Sequence, residues 1–186
     1  MGRNSTFPGM ASPAAGFDQP FEMLAACHDR VRRSLDLLQR LLKHLHTEGG
    51  DAMARDAARD VLRYFDLAAP AHHEDEERHV VPLLAQGTPD ERAAAQRMLD
   101  DHLAIRAHWS ALAPLLASVA DGHAPDLAAL GRASDAFCRV HDAHLALEDT
   151  LAFPHAREHL RPQGDAALQA MGQEMAARRG VRGPGG

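Results

Sequence analysis

Thirteen histidines stand in a chain of 186 residues, and they are clustered rather than scattered. Imidazoles and carboxylates are the side chains that hold transition metals and move protons near neutral pH. Sliding the sequence on itself lays His72-x3-Glu76-x5-Pro82 over His144-x3-Glu148-x5-Pro154 at an offset of 72 residues, with every spacing kept. Residues at i and i+4 share one helix face, so each copy offers an imidazole nitrogen and a carboxylate to one point. Upstream of each copy a histidine interrupts an apolar stripe: His28 between Leu24 and Val31, and His102 between Met98 and Ile105. The unit His…His-x3-Glu thus occurs twice, and two helical hairpins related by a pseudo-twofold would bring six such side chains together.

The elements that must position them are helices. Hydrophobic residues make up 45% of the chain and aromatics only 4%, and Ala and Leu dominate while β-branched residues are scarce. An all-α fold is expected, and the length suits one domain with a single sizeable core. Turn signals at Thr47-Glu48-Gly49-Gly50, Gly87-Thr88-Pro89-Asp90 and Asp121-Gly122-His123-Ala124-Pro125 separate four segments of helical periodicity, near 20–46, 52–86, 90–120 and 126–157. Each carries an apolar stripe, such as Phe21, Leu24, Val31, Leu35, Leu38 and Leu42 in the first. Short loops make consecutive helices antiparallel, so the simplest closure is an antiparallel up-down-up-down four-helix bundle over 19–160. A short C-terminal extra helix near 165–178 lies within 161–186, which ends in a flexible tail, and residues 1–18 are expected to be a disordered N-terminal tail. Pro70 and Pro114 fall inside expected helices and should bend them.

Helix arithmetic tests whether the six side chains can meet. At about 1.5 Å per residue, Glu76 and His102 lie roughly 18 and 21 Å from the turn between them, and His102 and His144 each lie roughly 32 Å from theirs. His28 and His72 lie roughly 32 and 35 Å from the first turn, a mismatch within the slack of a bend at Pro70. One layer of the bundle can therefore hold His28, His72, Glu76, His102, His144 and Glu148. Four imidazoles and two carboxylates in an apolar core are costly unless partnered, by about 1–3 kcal/mol for each orphaned polar group and more for a charge. A metal removes that cost. The mixed set suits iron, manganese or zinc rather than calcium, and carboxylates able to bridge suit a pair of ions.

The doubled His-x3-Glu-x5-Pro motif, with the string His72-His73-Glu74-Asp75-Glu76-Glu77, resembles the hemerythrin-like (HHE cation-binding) family over about residues 20–157. That resemblance implies two non-haem iron ions, a di-iron centre, inside a four-helix bundle. His28, His72, His102 and His144 would cap the irons, and Glu76 and Glu148 would bridge them. Oxygen-carrying members have a second histidine one turn after the third-helix ligand, where this chain has Arg106. The gap leaves an open coordination position or calls on another histidine, with His141, one turn before His144, the better substitute than His73. The pair His73 and Glu77 points about 100° away from His72 and reads as a solvated face. His79 makes the single Glu-x-x-His of the chain, whereas a ferritin-like centre needs two. His155 and His159 read as an exposed pair, His44 and His46 as the close of the first helix, and His108 and His123 as surface residues.

Charge and motifs exclude other classes. A formal net charge of −6 without a basic cluster gives no nucleic acid as partner. No uninterrupted apolar run approaches the roughly 18–20 residues of a membrane span, so no membrane is expected and the location should be cytoplasmic. Met1-Gly2 followed by Thr6 matches a myristoylation signal only formally. Cys27 and Cys138 are far apart and read as small reduced core residues. The expected role is to bind a small diatomic ligand, O2 or NO, at the centre for sensing, storage or stress protection. The alternatives are a di-iron enzyme acting on peroxide or NO, or a donor of iron for iron-cluster repair, with catalysis left open. A helical interaction module without metal is a third reading, which the repeated spacing opposes. A protein partner is left open, and any output must pass through one, through oligomerisation or through the C-terminal helix.

Overall fold

A computed structural model describes residues 16–181, and within them every regular element is helical. The elements are α1 (Pro20–Thr47), α2 (Ala52–Arg63), a π-helical turn (Tyr64–Ala68), α3 (Ala69–His79), α4 (Val81–Leu84), α5 (Pro89–Ala120), α6 (Leu127–Leu147), a second π-helical turn (Glu148–Ala152), α7 (Phe153–Leu160), a 3-10 turn (Arg161–Gln163) and α8 (Asp165–Arg178). Four long tracks pack side by side in a ring: α1 against α2, α2 against α5, α5 against α6, and α6 back against α1. Their starts are set locally. Asp51 and Asp126 accept from the backbone N–H groups of Ala54 and Ala129, and Thr88 and Glu91 form a reciprocal capping box.

The second and fourth tracks are not the continuous helices expected from periodicity. Each is interrupted by a π-turn that ends just before a proline, Pro70 or Pro154. Proline lacks the N–H that would bond the carbonyl four residues back, and its ring crowds that carbonyl. The residue before it bonds one further back instead: Ala69 N–H to the carbonyl of Tyr64, and Phe153 N–H to that of Glu148. A further break at Val80 precedes Pro82 and separates α3 from α4. Pro114, expected to bend its helix, lies inside an α5 that runs unbroken from Pro89 to Ala120. The last helix among the described residues is α8. The expected tails and the myristoylation match fall mostly or wholly outside the described residues.

The core is split in two. One apolar cluster holds Val31, Leu38, Ala69, Ile105, Leu112, Leu130 and Leu145, and another holds Leu24, Val80, Leu84, Met98, Ala152 and Met175. Along every track the stripe passes from one cluster to the other across a polar residue: His28 after Leu24, His102 after Met98, His72 and Glu76 between Ala69 and Val80, and His144 and Glu148 before Ala152. The polar layer is thus sealed above and below. Leu38 and Leu112 are fully buried, and trimming such a leucine to alanine costs about 2–5 kcal/mol. Among the described helices α5 alone contains an 18-residue stretch, of mean hydropathy 1.3, that is apolar enough to cross a membrane by length and composition. Its Leu112, Leu116 and Val119 are buried in the protein core instead.

Candidate metal centre

The structure brings all six expected side chains into one layer, each at most 2% exposed. Nε2 of His72 lies 3.0 Å from Oε1 of Glu76, and Nε2 of His28 lies 3.9 Å from that same oxygen. The other oxygen of Glu76 lies 3.4 Å from Nε2 of His102. Glu148 repeats the pattern, with one oxygen 3.1 Å from Nε2 of His28 and the other 3.2 Å from Nε2 of His144. Each carboxylate therefore turns one oxygen to the α1 side of the layer and one to the α5–α6 side.

These approaches are close, yet most are not aligned as hydrogen bonds. Nε2 of His28, both ring nitrogens of His72 and all four oxygens of Glu76 and Glu148 lack a hydrogen-bond partner despite full burial. Buried groups in that condition are expensive, and lone pairs that crowd together without facing one another are aimed at a common third point. Two groups result, His28, His72, Glu76 and Glu148, and His73, Glu76, His102 and His144, whose ligand atoms lie within 4.8 Å of one another. Glu76 belongs to both.

Outer partners fix which nitrogen faces inward. Nδ1 of His28 donates to Asp149 at 2.7 Å, and Nδ1 of His102 donates to Glu77 at 2.8 Å. With Nδ1 carrying the proton, each ring presents a bare Nε2 to the layer. Asp149 is held by Arg32 at 2.5 Å and Glu77 by Arg106 at 3.3 Å. Arg32 and Arg106 each stand four residues after their histidine, so the internal repeat extends to a second shell: His28, Arg32 and Asp149 in one half, His102, Arg106 and Glu77 in the other. The arginine at the position of a missing ligand thus braces the histidine one turn before it.

Without a cation the layer must divide protons among its own groups. Burial opposes charge on His28, but the carboxylates of Glu148 and Glu76 overcome it and raise the imidazole to about 9. Burial together with neighbouring Glu76 raises Glu148 to about 7. Burial pushes Glu76 upward too, yet His72, His102 and His28 hold it well below the usual carboxylate range. Burial drives His144 down to about 3. Against burial in both cases, the carboxylate of Glu76 likewise raises His72 well above its ordinary value and raises His102, so protonated imidazoles beside ionised Glu76 are the protein's own partial substitute for positive charge at this point.

Three readings of the outer residues need correction. His73 does not sit on a solvated face: it is 6% exposed, stacks on His102 with ring centres 4.3 Å apart, and joins the second group. His141, expected to be the better substitute, stays out of both groups. It donates Nδ1 to the carbonyl of Phe137 at 3.0 Å, packs on the Phe137 and Phe65 rings, and is driven down to about 4 by burial. Glu77, expected on a solvated face, is half-buried and orients His102. The doubled acid after each motif, Glu76-Glu77 and Glu148-Asp149, was the available signal for that second shell. The remaining histidines lie elsewhere: His79 meets Arg178, His44 meets Asp51, His108 is half-buried, and His123 is exposed.

The hemerythrin HHE cation-binding domain model matches residues 19–156, which include every residue of this layer. The chain belongs to the hemerythrin HHE cation-binding family. A relative from Haemophilus influenzae, described as an uncharacterized protein, is 32% identical over 168 residues, covering 90% of this chain and 94% of its own length. The HHE assignment and the two groups of buried ligand atoms agree on cation binding, and the donor set of imidazoles and shared carboxylates fits it.

Proposed function

We propose that the chain is a non-haem di-iron protein of the HHE family that binds a small diatomic ligand, O2 or NO, for sensing, storage or stress protection. The observation that carries this reading is the pair of buried ligand groups sharing Glu76, with Glu148 spanning the same gap. Two ions side by side use both oxygens of each carboxylate, whereas one ion leaves half of them orphaned. Imidazole and carboxylate together suit iron, and a bridged iron pair supplies a redox-active centre that takes small ligands. His28 and His72 would hold one ion, and His102, His144 and His73 the other. The fold is then the antiparallel up-down-up-down bundle of the family, with α8 as an added helix. Two free buried cysteines accord with the reducing cytoplasm.

Access favours a small, weakly polar ligand. A cavity of about 150 Å³ reaches His73 between Phe65, Ile105, Trp109 and Phe137, with Arg106 also on its lining. A larger groove of about 490 Å³ includes Asp149 and Phe153 on its lining but none of the ligand layer. The cavity is too small for a metabolite, and Glu74 and Glu77 on its lining offset the attraction of Arg106 for an anion.

The test is metal analysis of protein from iron-replete cells, followed by optical spectra of the reduced protein before and after air or NO. About two irons per chain, and a spectrum that responds to either gas, are expected. Absence of iron would falsify the reading. Sustained consumption of peroxide or NO would move the protein into the enzyme class instead.

A further inference from the structure

Two histidines far from the buried layer converge on one carboxylate. His155 and His159 lie one turn apart on α7, and a ring nitrogen of each meets Oε1 of Glu91, at 2.7 and 3.0 Å. Glu91 belongs to the first turn of α5. Its side chain is only 6% exposed, and its other oxygen accepts the backbone N–H of Thr88 at 2.5 Å. The carboxylate is therefore fixed in place, and its ionised form is favoured strongly enough, by the Thr88 N–H first and then by His155, to bring it down to about 2. The two imidazoles are open to water, at 47% and 36% exposure. Gly87 makes the room: a Cβ there would stand 2.0 Å from Oε2 of Glu91 and 3.0 Å from Nε2 of His159. Arg92 on α5 is turned to the carbonyl of Gly87, and Arg157 on α7 is taken up by Glu22 at 2.6 Å.

We propose that His155, His159 and Glu91 form a separate mononuclear site for a divalent first-row cation of the zinc and ferrous class. An i, i+4 histidine pair on a helix can bring two nitrogens to one ion, and a carboxylate from the neighbouring helix supplies the third ligand and the charge. Ligands about 2.1 Å from an ion at tetrahedral or octahedral angles stand about 3.0–3.4 Å apart, so the two imidazoles, which now hydrogen-bond one oxygen of Glu91 at 2.7 and 3.0 Å, must turn toward a shared point as the ion binds. Two imidazoles and a carboxylate with open positions are the set that zinc and ferrous iron accept. The positive end of α5 opposes a cation, and the Glu91 charge lies between the two. This site shares no residue with the buried layer. It is placed where water and an incoming ion reach it directly, and α7 links it to Phe153, whose ring stacks on His28 at 5.0 Å.

The test titrates the iron-loaded full chain with zinc chloride by calorimetry, while iron content is followed in the same samples. One equivalent of zinc should bind without releasing iron. His155→Ala and His159→Ala should each weaken that binding at least tenfold, as should Glu91→Gln, which keeps an acceptor for Thr88. Iron content of the two histidine variants should match the parent, because the site shares no residue with the buried layer. Three results would each overturn the proposal: no zinc uptake, uptake matched by loss of iron, or uptake unchanged in both histidine variants. In those cases the two histidines only hydrogen-bond Glu91.

Discussion

His72 and His73 are neighbours in the chain, and the structure turns both inward. Adjacent positions on a helix differ by about 100°, and a helix in a four-membered ring has neighbours on two sides. His72 faces α1, its ring centre 5.3 Å from that of His28, while His73 faces α5 and α6. The residue matching His73 in the second copy of the repeat is Leu145, which is buried, so the pseudo-twofold is broken at this position. His73→Ala should therefore lower retention of one metal of the pair about tenfold or more under chelator challenge. His141→Leu should leave retention unchanged and shift stability by less than about 1.5 kcal/mol, since the lost Nδ1 bond to the Phe137 carbonyl is offset by removal of the buried, unpartnered Nε2. Equal loss in the two variants would make His141 a ligand after all. Glu76→Ala should empty the centre, whereas Glu77→Ala should weaken metal binding by about 10–100-fold through the misoriented His102 ring, both read as metal per chain after dialysis.

At the scale of elements, α8 is tied to the helix that carries the motif. Asp75, one residue before Glu76, is fully buried and meets Arg178 at 2.6 Å and Arg179 at 2.5 Å. Loss of both arginines strands a buried carboxylate, and about 3–5 kcal/mol of destabilisation is expected from urea unfolding. Removing Asp75 as well should recover part of that loss, because no charge is then left unpaired. Gly172 is the other fastening point: a Cβ there would stand 1.8 Å from the carbonyl oxygen of Phe17, a backbone atom that cannot swing aside. Gly172→Ala should loosen α8, seen as faster amide exchange in 165–178 with the ring of long helices still protected. If exchange there is unchanged, α8 does not dock through this contact.

For the whole molecule the split core makes metal part of the fold. Chelated protein should show a maximum of stability near neutral pH. His141 and His144 have folded values of about 4 and 3, below the ordinary 6.5, so the stability from their neutral burial is present above about 6.5 and lost as pH falls. His28 has a folded value of about 9, so its contribution is complete below about 6.5 and lost as pH rises through 9. Glu148, raised from 4.5 to about 7, contributes below about 4.5 and has lost most of that by neutrality, which offsets part of the gain from His141 and His144. Melts at pH 4.5 and 9.5 should both fall below the melt at pH 6.5. Binding to the folded state alone adds stability, so metal-loaded protein should melt several degrees higher at pH 7.5. That gap should close toward pH 5, where protons compete for the imidazoles. Coincident melts at pH 7.5 would remove metal from the account of the fold.

The sequence alone determined the helices, the turns between them and the layer of six side chains. Those features follow from local periodicity and from heights counted along the chain, and neither depends on how the tracks are rotated. Rotation about each helix axis was decided only by packing, which turned His73 inward, left His141 against Phe65 and Phe137, and set Glu77 beside His102. The π-turns before Pro70 and Pro154 also came from the three-dimensional requirement to keep carbonyls bonded while the tracks stay in contact, because a proline in a periodic stretch is equally compatible with a kink, a break or, as at Pro114, an uninterrupted helix. The meeting of His155 and His159 with Glu91 joins residues 64 and 68 positions apart. Spacing marked the histidine pair, but only the packing of α7 beside the start of α5 could supply its carboxylate.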